Sequence, residues 1–444
     1  MNFVPSSKSG MEYVDVPGTS IRASRIALGT WAIGGWMWGG TDENDAIRTI
    51  REALDRGINL IDTAPVYGFG RSEEIVGKAL AGGRRRNAII ATKVGLDWKN
   101  EKPFRNARKA RIMEEVESSL RRLQTDVIDL YQVHWPDPNT PISATAEAVS
   151  ALHRDGKIRA VGVSNFSPAQ MDEFRKVAPL HTAQPPYNLF ERAIEHDVLP
   201  YCRNRKIALL AYGSLCRGLL SGTMSGASRF DGDDLRKSDP KFRPPRFEQY
   251  LAAVGRLDRL AQERFGRKVI HLAVRWVLDR GEQNIALWGA RHAEQLSPIA
   301  GALGWRIDDA TMAEIDRILL ETIKDPVGPE FMAPPDREVA RWPTNPQFVS
   351  SAGITSTHRR LKHRALGAMP RSGHRWASLQ LSGAASSRWS RAHEPEFTTT
   401  ANRTPSHSFC QAAAKFAGAP KASSPRARRP ATSSMFPRSF RTWR

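Results

Sequence analysis

The stretch Gly57-Ile58-Asn59-Leu60-Ile61-Asp62-Thr63-Ala64-Pro65-Val66-Tyr67-Gly68 contains the repeating unit that decides the fold. A stripe of apolar residues at helical spacing over 46–54 stops at Gly57, and the apolar run 59–63 follows it. That run ends in a loop with polar side chains. A helix, a buried strand and a polar loop, in this order, are typical of a parallel α/β fold.

Seven further apolar runs occur in the same setting along the first 335 residues. Their near-continuous apolar character indicates strands buried on both faces. Eight strand–helix repeats in about 300 residues favour a (β/α)8 TIM barrel over a doubly wound sheet. The predicted strands are 25–30, 59–63, 88–93, 127–134, 159–164, 182–187, 207–212 and 284–289.

Local signals add detail to this predicted barrel. The segment 12–21, around Pro17-Gly18, predicts a hairpin before the first barrel strand. Ser72, which precedes two acids, is expected to cap the helix after the second strand, and Thr311 to begin the last helix.

Polar side chains that end three consecutive strands predict a functional site, because barrel enzymes collect function at the carboxyl ends of their strands. Asp62 ends the second strand and Tyr67 lies in its loop, while Lys93 and His134 end the third and fourth strands. Taken singly, Asp62 could cap a turn, Tyr67 could be an ordinary loop residue and His134 a hydrogen-bonded core residue. Lys93 is harder to explain in that way, because lysine is seldom buried without a partner. Their joint occurrence favours one site.

Composition excludes several classes of protein. The 444 residues are 40% hydrophobic and 25% charged, which are ordinary globular values. The chain has three cysteines, too few for a disulfide framework, and no apolar run of about 18 residues that could span a membrane. The first residues are too polar for a signal peptide. We therefore expect a soluble, cytoplasmic protein.

The charge of +20 is unevenly distributed. Residues 345–444 hold 17 Lys and Arg against two acids, a net +15, with 16 serines and almost no β-branched aliphatic residues. Such a segment cannot bury enough apolar surface to offset chain entropy, so 341–444 is predicted to be a disordered basic tail after a domain of residues 1–340. The tail could bind nucleic acid through phosphates, but it follows no RNA-binding module. Its composition also suits translation of a GC-rich stretch in another frame, and nucleic-acid binding is the weaker interpretation.

The residues at the strand ends occur in phrases that resemble the aldo-keto reductase family. The resemblance covers about residues 12–335, with five separated motifs in order. The supporting phrases are Gly57-Ile58-Asn59-Leu60-Ile61-Asp62-Thr63-Ala64, Tyr67-Gly68, Thr92-Lys93, Asp129-Leu130-Tyr131-Gln132-Val133-His134 and Gly156-Lys157-Ile158-Arg159-Ala160-Val161-Gly162-Val163-Ser164-Asn165-Phe166.

The resemblance implies reduction of aldehydes or ketones by a nicotinamide cofactor. The cofactor gives hydride to the carbonyl carbon, and a positioned acid protonates the oxygen. Tyr67 is then that acid, Lys93 lowers the pKa of Tyr67, Asp62 pairs with Lys93, and His134 hydrogen-bonds the carbonyl oxygen. The same tyrosine could act as a base when an alcohol is oxidised.

The family likeness also assigns residues to the cofactor. Ser164, Asn165 and Gln184 are placed on the nicotinamide carboxamide and Tyr212 on its ring, although Ser-Asn after a strand is also an ordinary helix cap. Many relatives have Tyr-Ser-Pro-Leu after the seventh strand, whereas this chain has Tyr-Gly-Ser-Leu. The expected cofactor-binding residues are Trp31, Ser164, Asn165, Gln184, Tyr212, Gly213, Leu215, Arg217, Gly289, Arg291 and Gln295.

The adenosine end of the cofactor is read from the segment after the eighth strand. A turn at Gly289 that feeds a helix start is a phosphate site on physical grounds. Arg291 suits an adenosine 2′-phosphate, and the likeness places Gln295 beside it, which favours NADP over NAD. The alternatives are that Arg291 is an exposed residue at a helix start and that Arg217 is a solvated loop residue.

Other site types find no support in the sequence. The glycines between 29 and 40 do not form a strand–Gly-x-Gly-x-x-Gly–helix unit, and the cysteines are too dispersed for a local metal motif, so no metal is predicted. Trp31, Trp36 and Trp38 could line the substrate pocket or simply cap the barrel. An alternative function remains open: some relatives of this fold act mainly as cofactor-sensing subunits of larger assemblies. The sequence does not indicate an oligomeric state.

Overall fold

The computed structural model describes residues 10–338, and within this range eight parallel strands close into a barrel. Each barrel strand overlaps one of the eight predicted runs, so the (β/α)8 prediction is confirmed. The register, for example Leu28 opposite Ile61 and Ala91 opposite Leu130, brings all carboxyl ends to one rim. The barrel strands are β3 (Ile26–Gly29), β4 (Leu60–Asp62), β5 (Ile89–Val94), β8 (Ile128–Val133), β9 (Ile158–Ser164), β10 (Thr182–Gln184), β11 (Ala208–Ala211) and β12 (Asn284–Gly289).

Helices surround the barrel and bury their apolar stripes against its strands. A 3₁₀ segment, Ala293–Ala302, stands where the sequence predicts a helix after β12, and it contains Pro298. Proline lacks the backbone N–H that a regular α-helix needs at such a position. The α-helices of the described range are α1 (Glu43–Asp55), α2 (Arg71–Leu80), α3 (Lys109–Leu123), α4 (Ile142–Arg154), α5 (Pro168–Arg175), α6 (Val198–Arg205), α7 (Arg246–Phe265), α8 (Val269–Asp279) and α9 (Asp309–Thr322).

The predicted amino-terminal hairpin is present and closes one end of the barrel. Strand β1 (Tyr13–Asp15) pairs antiparallel with β2 (Arg22–Ser24), so the second strand begins one residue beyond the predicted segment. Val16 and Ile21 of this hairpin are buried with aliphatic residues from inside the barrel. That end is therefore plugged, and the open rim is the one at the carboxyl ends of the strands.

Two predicted helix starts are wrong. Helix α2 begins at Arg71 after a left-handed Gly70, and Ser72 lies one residue inside it. The Ser72 hydroxyl is buried and lies 2.8 Å from Thr30 Oγ1. Helix α9 is capped by Asp308, whose carboxylate accepts from the backbone of Thr311 at 2.8 Å. The Ser72 hydroxyl is used in a hydrogen bond with Thr30, so it does not cap α2. At α9, Asp308 is the capping residue instead of Thr311.

Two segments extend over the open rim. A second hairpin, β6 (Leu96–Lys99) with β7 (Lys102–Arg105), follows β5. The segment 328–337 reaches this hairpin, where the Arg105 N–H donates to the Pro335 carbonyl at 3.0 Å. The predicted disordered tail and the domain boundary at 340 lie outside the described residues. No helix of residues 10–338 is both long enough and apolar enough to cross a membrane.

Candidate active site

A cavity of about 740 Å³ opens at the carboxyl rim of the barrel. This is within the usual size range of cofactor and ligand pockets. It is lined by residues from most of the strand ends, together with Trp31, Trp36 and Trp38. The loop segments 96–103 and 235–238 and the segment 331–335 complete its walls.

Lys93 contacts two other predicted catalytic residues, Asp62 and Tyr67, which line this cavity. Its Nζ donates to Asp62 Oδ1 at 2.7 Å, to the Thr63 carbonyl at 2.9 Å and to the Tyr67 hydroxyl at 3.3 Å. The Lys93 side chain has no solvent exposure, and that of Asp62 is 3% exposed. Adjacent parallel strands β4 and β5 place the two charged groups side by side. The three donors of the ammonium are therefore all used by protein atoms.

The acid–base properties of this group differ from the expectation. Burial raises the pKa of Tyr67 well above its ordinary value, and the Asp62 carboxylate raises it further. The sequence analysis expected the Lys93 ammonium to lower that pKa, whereas the net shift is upward, because of burial first and the Asp62 charge second. Burial also lowers the pKa of Lys93, against the attraction of Asp62.

His134 completes the group from the end of β8. Its ring packs edge-on against that of Tyr67, with 5.9 Å between the centroids. Burial lowers the pKa of His134 well below its ordinary value, and the nearby Lys93 charge adds to this effect. The imidazole is therefore neutral at neutral pH, with one ring N–H to donate and one nitrogen to accept.

Amide side chains hold the other oxygen of Asp62. Gln184 Nε2 donates to Asp62 Oδ2 at 2.8 Å, and Gln132 Nε2 lies 3.4 Å from the same oxygen. Gln132 is a residue that the sequence analysis missed, although a glutamine within a fully buried strand is a signal. The carboxylate is thus oriented from both sides, which fixes the position of Lys93.

The remaining residues predicted for the nicotinamide form one hydrogen-bonded chain. Ser164 Oγ donates to the Gln184 carbonyl at 2.7 Å, and Asn165 Nδ2 donates to the His134 carbonyl at 3.0 Å. The Tyr212 hydroxyl donates to Asn165 Oδ1 at 3.0 Å. The cavity is lined by all four of the residues predicted for the nicotinamide, and also by Gly213 and Leu215.

One end of the cavity is lined by Arg291. Its Nη1 donates to the Trp38 carbonyl at 2.6 Å, and its charge adds to that of Arg236 in lowering the pKa of Asp234 against the effect of burial. The side chain of Gln295 turns back and accepts from the backbone N–H of Arg291 at 2.8 Å. Arg236, which sequence reasoning missed, lies at the same end but is paired with Asp234, its Nε 2.9 Å from Oδ1. Gly289 also lines this end.

A model of the family described as "Aldo/keto reductase family" matches residues 25–320. The chain belongs to the aldo/keto reductase family. It is 63% identical over 329 residues to the aldo-keto reductase YhdN of Bacillus subtilis (strain 168), covering 74% of this chain and 99% of that protein. The match spans the barrel and makes the chain an oxidoreductase of this family.

Two other proteins that are similar to this chain have names that state different activities. The structure of the glycerol dehydrogenase AKR11B4 from Gluconobacter oxydans is 56% identical with a TM-score of 0.67, covering 72% of this chain and 99% of that one. The NADH-specific methylglyoxal reductase of Escherichia coli (strain K12) is 35% identical over 317 residues, covering 68% of this chain and 96% of that protein. The two names thus state different substrates, and one of them states NADH as the cofactor.

The cavity of this aldo/keto reductase has the groups that a nicotinamide dinucleotide needs. The indole N–H groups of Trp31 and Trp38 are buried and have no hydrogen-bond partner within residues 10–338, so they are donors for a bound molecule. Tyr212 offers an aromatic ring to the cavity, and Arg291 offers a guanidinium. An aromatic surface and a cation in one pocket fit a ligand with a ring and phosphates.

In this aldo/keto reductase, Arg217 differs from the other predicted cofactor-binding residues because its guanidinium is ion-paired within the protein. It borders the cavity, but its guanidinium hydrogen-bonds Glu191 and lies 2.8 Å from Asp239 Oδ2. It is 7% exposed, so it is not a solvated loop residue. Sequence reasoning missed Glu191, Asp239 and the adjoining Lys241, since nothing local marks residues that meet only in the folded chain.

Proposed function

We propose that this protein reduces small aldehydes or ketones to alcohols with NADPH, and that Tyr67 is the proton donor. The observation that carries the proposal is the contact of Lys93 Nζ with both Asp62 and the Tyr67 hydroxyl on the wall of one cavity, with the His134 ring beside the phenol. A fully buried lysine in direct contact with a buried aspartate and a half-buried tyrosine is rare outside catalytic sites.

When bound in this cavity, a nicotinamide cofactor would supply the hydride that reduces the carbonyl carbon. The raised pKa of Tyr67 keeps its phenol protonated at neutral pH, which is the form that a proton donor requires. The phenol delivers this proton to the developing alkoxide oxygen. Lys93 stabilises the phenolate that remains, and Asp62 holds the ammonium in place. Neutral His134 donates a hydrogen bond to the same substrate oxygen and orients it.

The preference for NADPH is argued from Arg291. The Arg291 guanidinium lines the cavity with its Nη1 on a backbone carbonyl, and it can pair with a 2′-phosphate, whereas Arg236 is already ion-paired with Asp234. Replacing Arg291 by methionine is expected to raise the KM for NADPH about tenfold while leaving that for NADH within a factor of about two. Steady-state kinetics with both cofactors measure this. Equal KM values for the two cofactors in the unchanged protein would refute the preference.

The catalytic assignment is tested by NADPH consumption, followed by nicotinamide absorbance, with a panel of reactive aldehydes. Tyr67→Phe removes only the hydroxyl, so kcat/KM is expected to fall by about 10²–10⁴-fold, while the dissociation constant for NADPH stays the same. Retention of activity in this variant would rule out Tyr67 as the donor. If the unchanged protein binds NADPH tightly but turns over no substrate, the cofactor-sensing interpretation gains instead.

A second candidate function is oxidation of a small polyol, because a protein 56% identical to this one is named a glycerol dehydrogenase. The same residues serve both directions, with Tyr67 accepting rather than donating the proton. The raised pKa of Tyr67 predicts that oxidation speeds up with rising pH, since the phenolate is the base. Assays with NADP⁺ and glycerol, across a range of pH, distinguish the two functions.

A further inference from the structure

Four buried charged side chains form a cluster outside the catalytic group. Their side chains are at most 4% exposed. Glu191 accepts from Arg217 and lies 2.8 Å from Lys241 Nζ, while Asp239 lies 2.8 Å from Arg217 Nε and 3.6 Å from Lys241 Nζ. Two cations thus face two carboxylates. We call these four residues the buried quartet.

The quartet joins segments that are far apart in sequence. Glu191 follows β10, Arg217 follows β11, and Asp239 and Lys241 lie in the loop before α7. Lys241 Nζ also donates to the Gly328 carbonyl at 3.2 Å. The Arg217 guanidinium lies 5.8 Å from the centre of the Phe331 ring. The cluster therefore ties two barrel loops to the start of segment 328–337.

The segments that meet at the quartet also form walls of the cavity. The loop 213–218, which contains Arg217, contributes to one wall, and residues 331–335 contribute to another. The opposite end of segment 328–337 is fixed at β7, by Arg105 N–H to the Pro335 carbonyl at 3.0 Å. The segment thus crosses the rim with an anchor at each end, and the quartet is one of the two.

The backbone at Arg217 needs an anchor. Cys216 and Arg217 have φ values of 46° and 53°, in the left-handed region that disfavours side chains, and Gly218 follows with 87°. Two consecutive non-glycine residues in this conformation persist only where their surroundings hold them. The ion pairs of Arg217 provide that restraint, and the strained turn lies at the edge of the cavity.

Stability alone does not explain the quartet, because apolar side chains of similar volume often stabilise a protein as well as buried ion pairs do. We propose that the quartet is a positioning device: it holds loop 213–218 and segment 328–337 in the arrangement that closes on the cofactor. Arg217 and Lys241 then affect cofactor affinity through the loops rather than by contact. The proposal rests on the proposed function, in which a nicotinamide cofactor occupies this cavity.

The test compares cofactor dissociation constants, measured by quenching of the fluorescence of the cavity tryptophans. Lys241→Met leaves two carboxylates facing one cation, and it is expected to raise the dissociation constant for NADPH about tenfold. Asp239→Asn is the milder single change, and it should also raise the dissociation constant for NADPH. The double variant Lys241→Met/Asp239→Asn restores the charge balance, and it is expected to recover affinity to within about threefold of the unchanged protein.

Arg275→Met provides a matched control. Arg275 is a buried arginine, 2% exposed in its side chain, paired with Glu12 and Asp279 at the closed end of the barrel. Its loss should lower the melting temperature without changing the dissociation constant. If Lys241→Met does not fold, Asp239→Asn and the double variant decide the question.

Failure of the proposed function and failure of the positioning proposal give different results. If the unchanged protein binds neither NADPH nor NADH, the proposed function itself is wrong. If it binds cofactor and the folded single variants bind it equally well, losing only melting temperature as Arg275→Met does, then the quartet has a structural role and the positioning proposal is overturned.

Discussion

At the scale of single residues, Lys93 has the most constrained environment in the site. Its ammonium is fully buried and contacts Asp62, the Thr63 carbonyl and Tyr67. Removing one partner of a buried pair leaves the other charge uncompensated, whereas removing both does not. A single variant and a double variant should therefore differ in stability, while neither is active.

Lys93→Met is expected to lower the free energy of unfolding by about 3–5 kcal/mol, because the Asp62 carboxylate stays buried without its cation. The double variant Asp62→Asn/Lys93→Met should recover most of that loss. Neither variant should be active, because no ammonium then stabilises the phenolate of Tyr67. Denaturant unfolding and kcat/KM for an aldehyde measure both effects. An active double variant would contradict the role given to Lys93.

At the scale of elements, the position of Tyr67 depends on a contact between two loops. A Cβ at Gly34, after β3, would lie 2.6 Å from the backbone carbon and oxygen of Tyr67. The backbones of the two loops therefore touch, and this contact fixes where the loop after β4 passes. The Trp31 ring, from the same loop as Gly34, stacks on the Tyr67 ring with 5.9 Å between centroids.

Gly34→Ala is expected to push the Tyr67 loop away from Lys93 and to lower kcat/KM by about 10–100-fold, because small displacements of a catalytic group are costly. Gly226→Ala is the matched control, since a Cβ there meets no atom within 4 Å. Kinetics with one aldehyde, and melting temperatures, are measured for both. Equal kcat/KM values for the two variants would show that this contact does not position Tyr67.

At the scale of the whole molecule, buried histidines link stability to pH. Burial lowers the pKa of His134 at the open rim and of His181 near the hairpin, each below the ordinary value. As pH falls through about 6.5, the unfolded chain takes up protons at these residues and the folded chain does not. The unfolded state is then favoured, so stability is lost on acidification.

The melting temperature is accordingly expected to fall between about pH 7.5 and pH 5.5, and less steeply in His134→Gln and His181→Gln. Scanning calorimetry of the three proteins measures this. His153, whose ring lies 5.9 Å from that of His181, adds to the lowering at His181. A melting temperature that rises on acidification would have the wrong sign for this explanation.

The sequence by itself determined the barrel, the hairpin and the set of residues at the rim. Buried runs of strand length between amphipathic helices leave few other folds, and parallel strands bring their carboxyl ends to one rim, so Asp62, Lys93 and His134 had to converge. The tertiary structure decided the rest. The pKa of Tyr67 is raised by burial and by the Asp62 carboxylate, and no local sequence pattern reports either effect. Arg217 meets Glu191 and Asp239 only after folding, because their contacts join loops whose proximity the closed barrel alone creates.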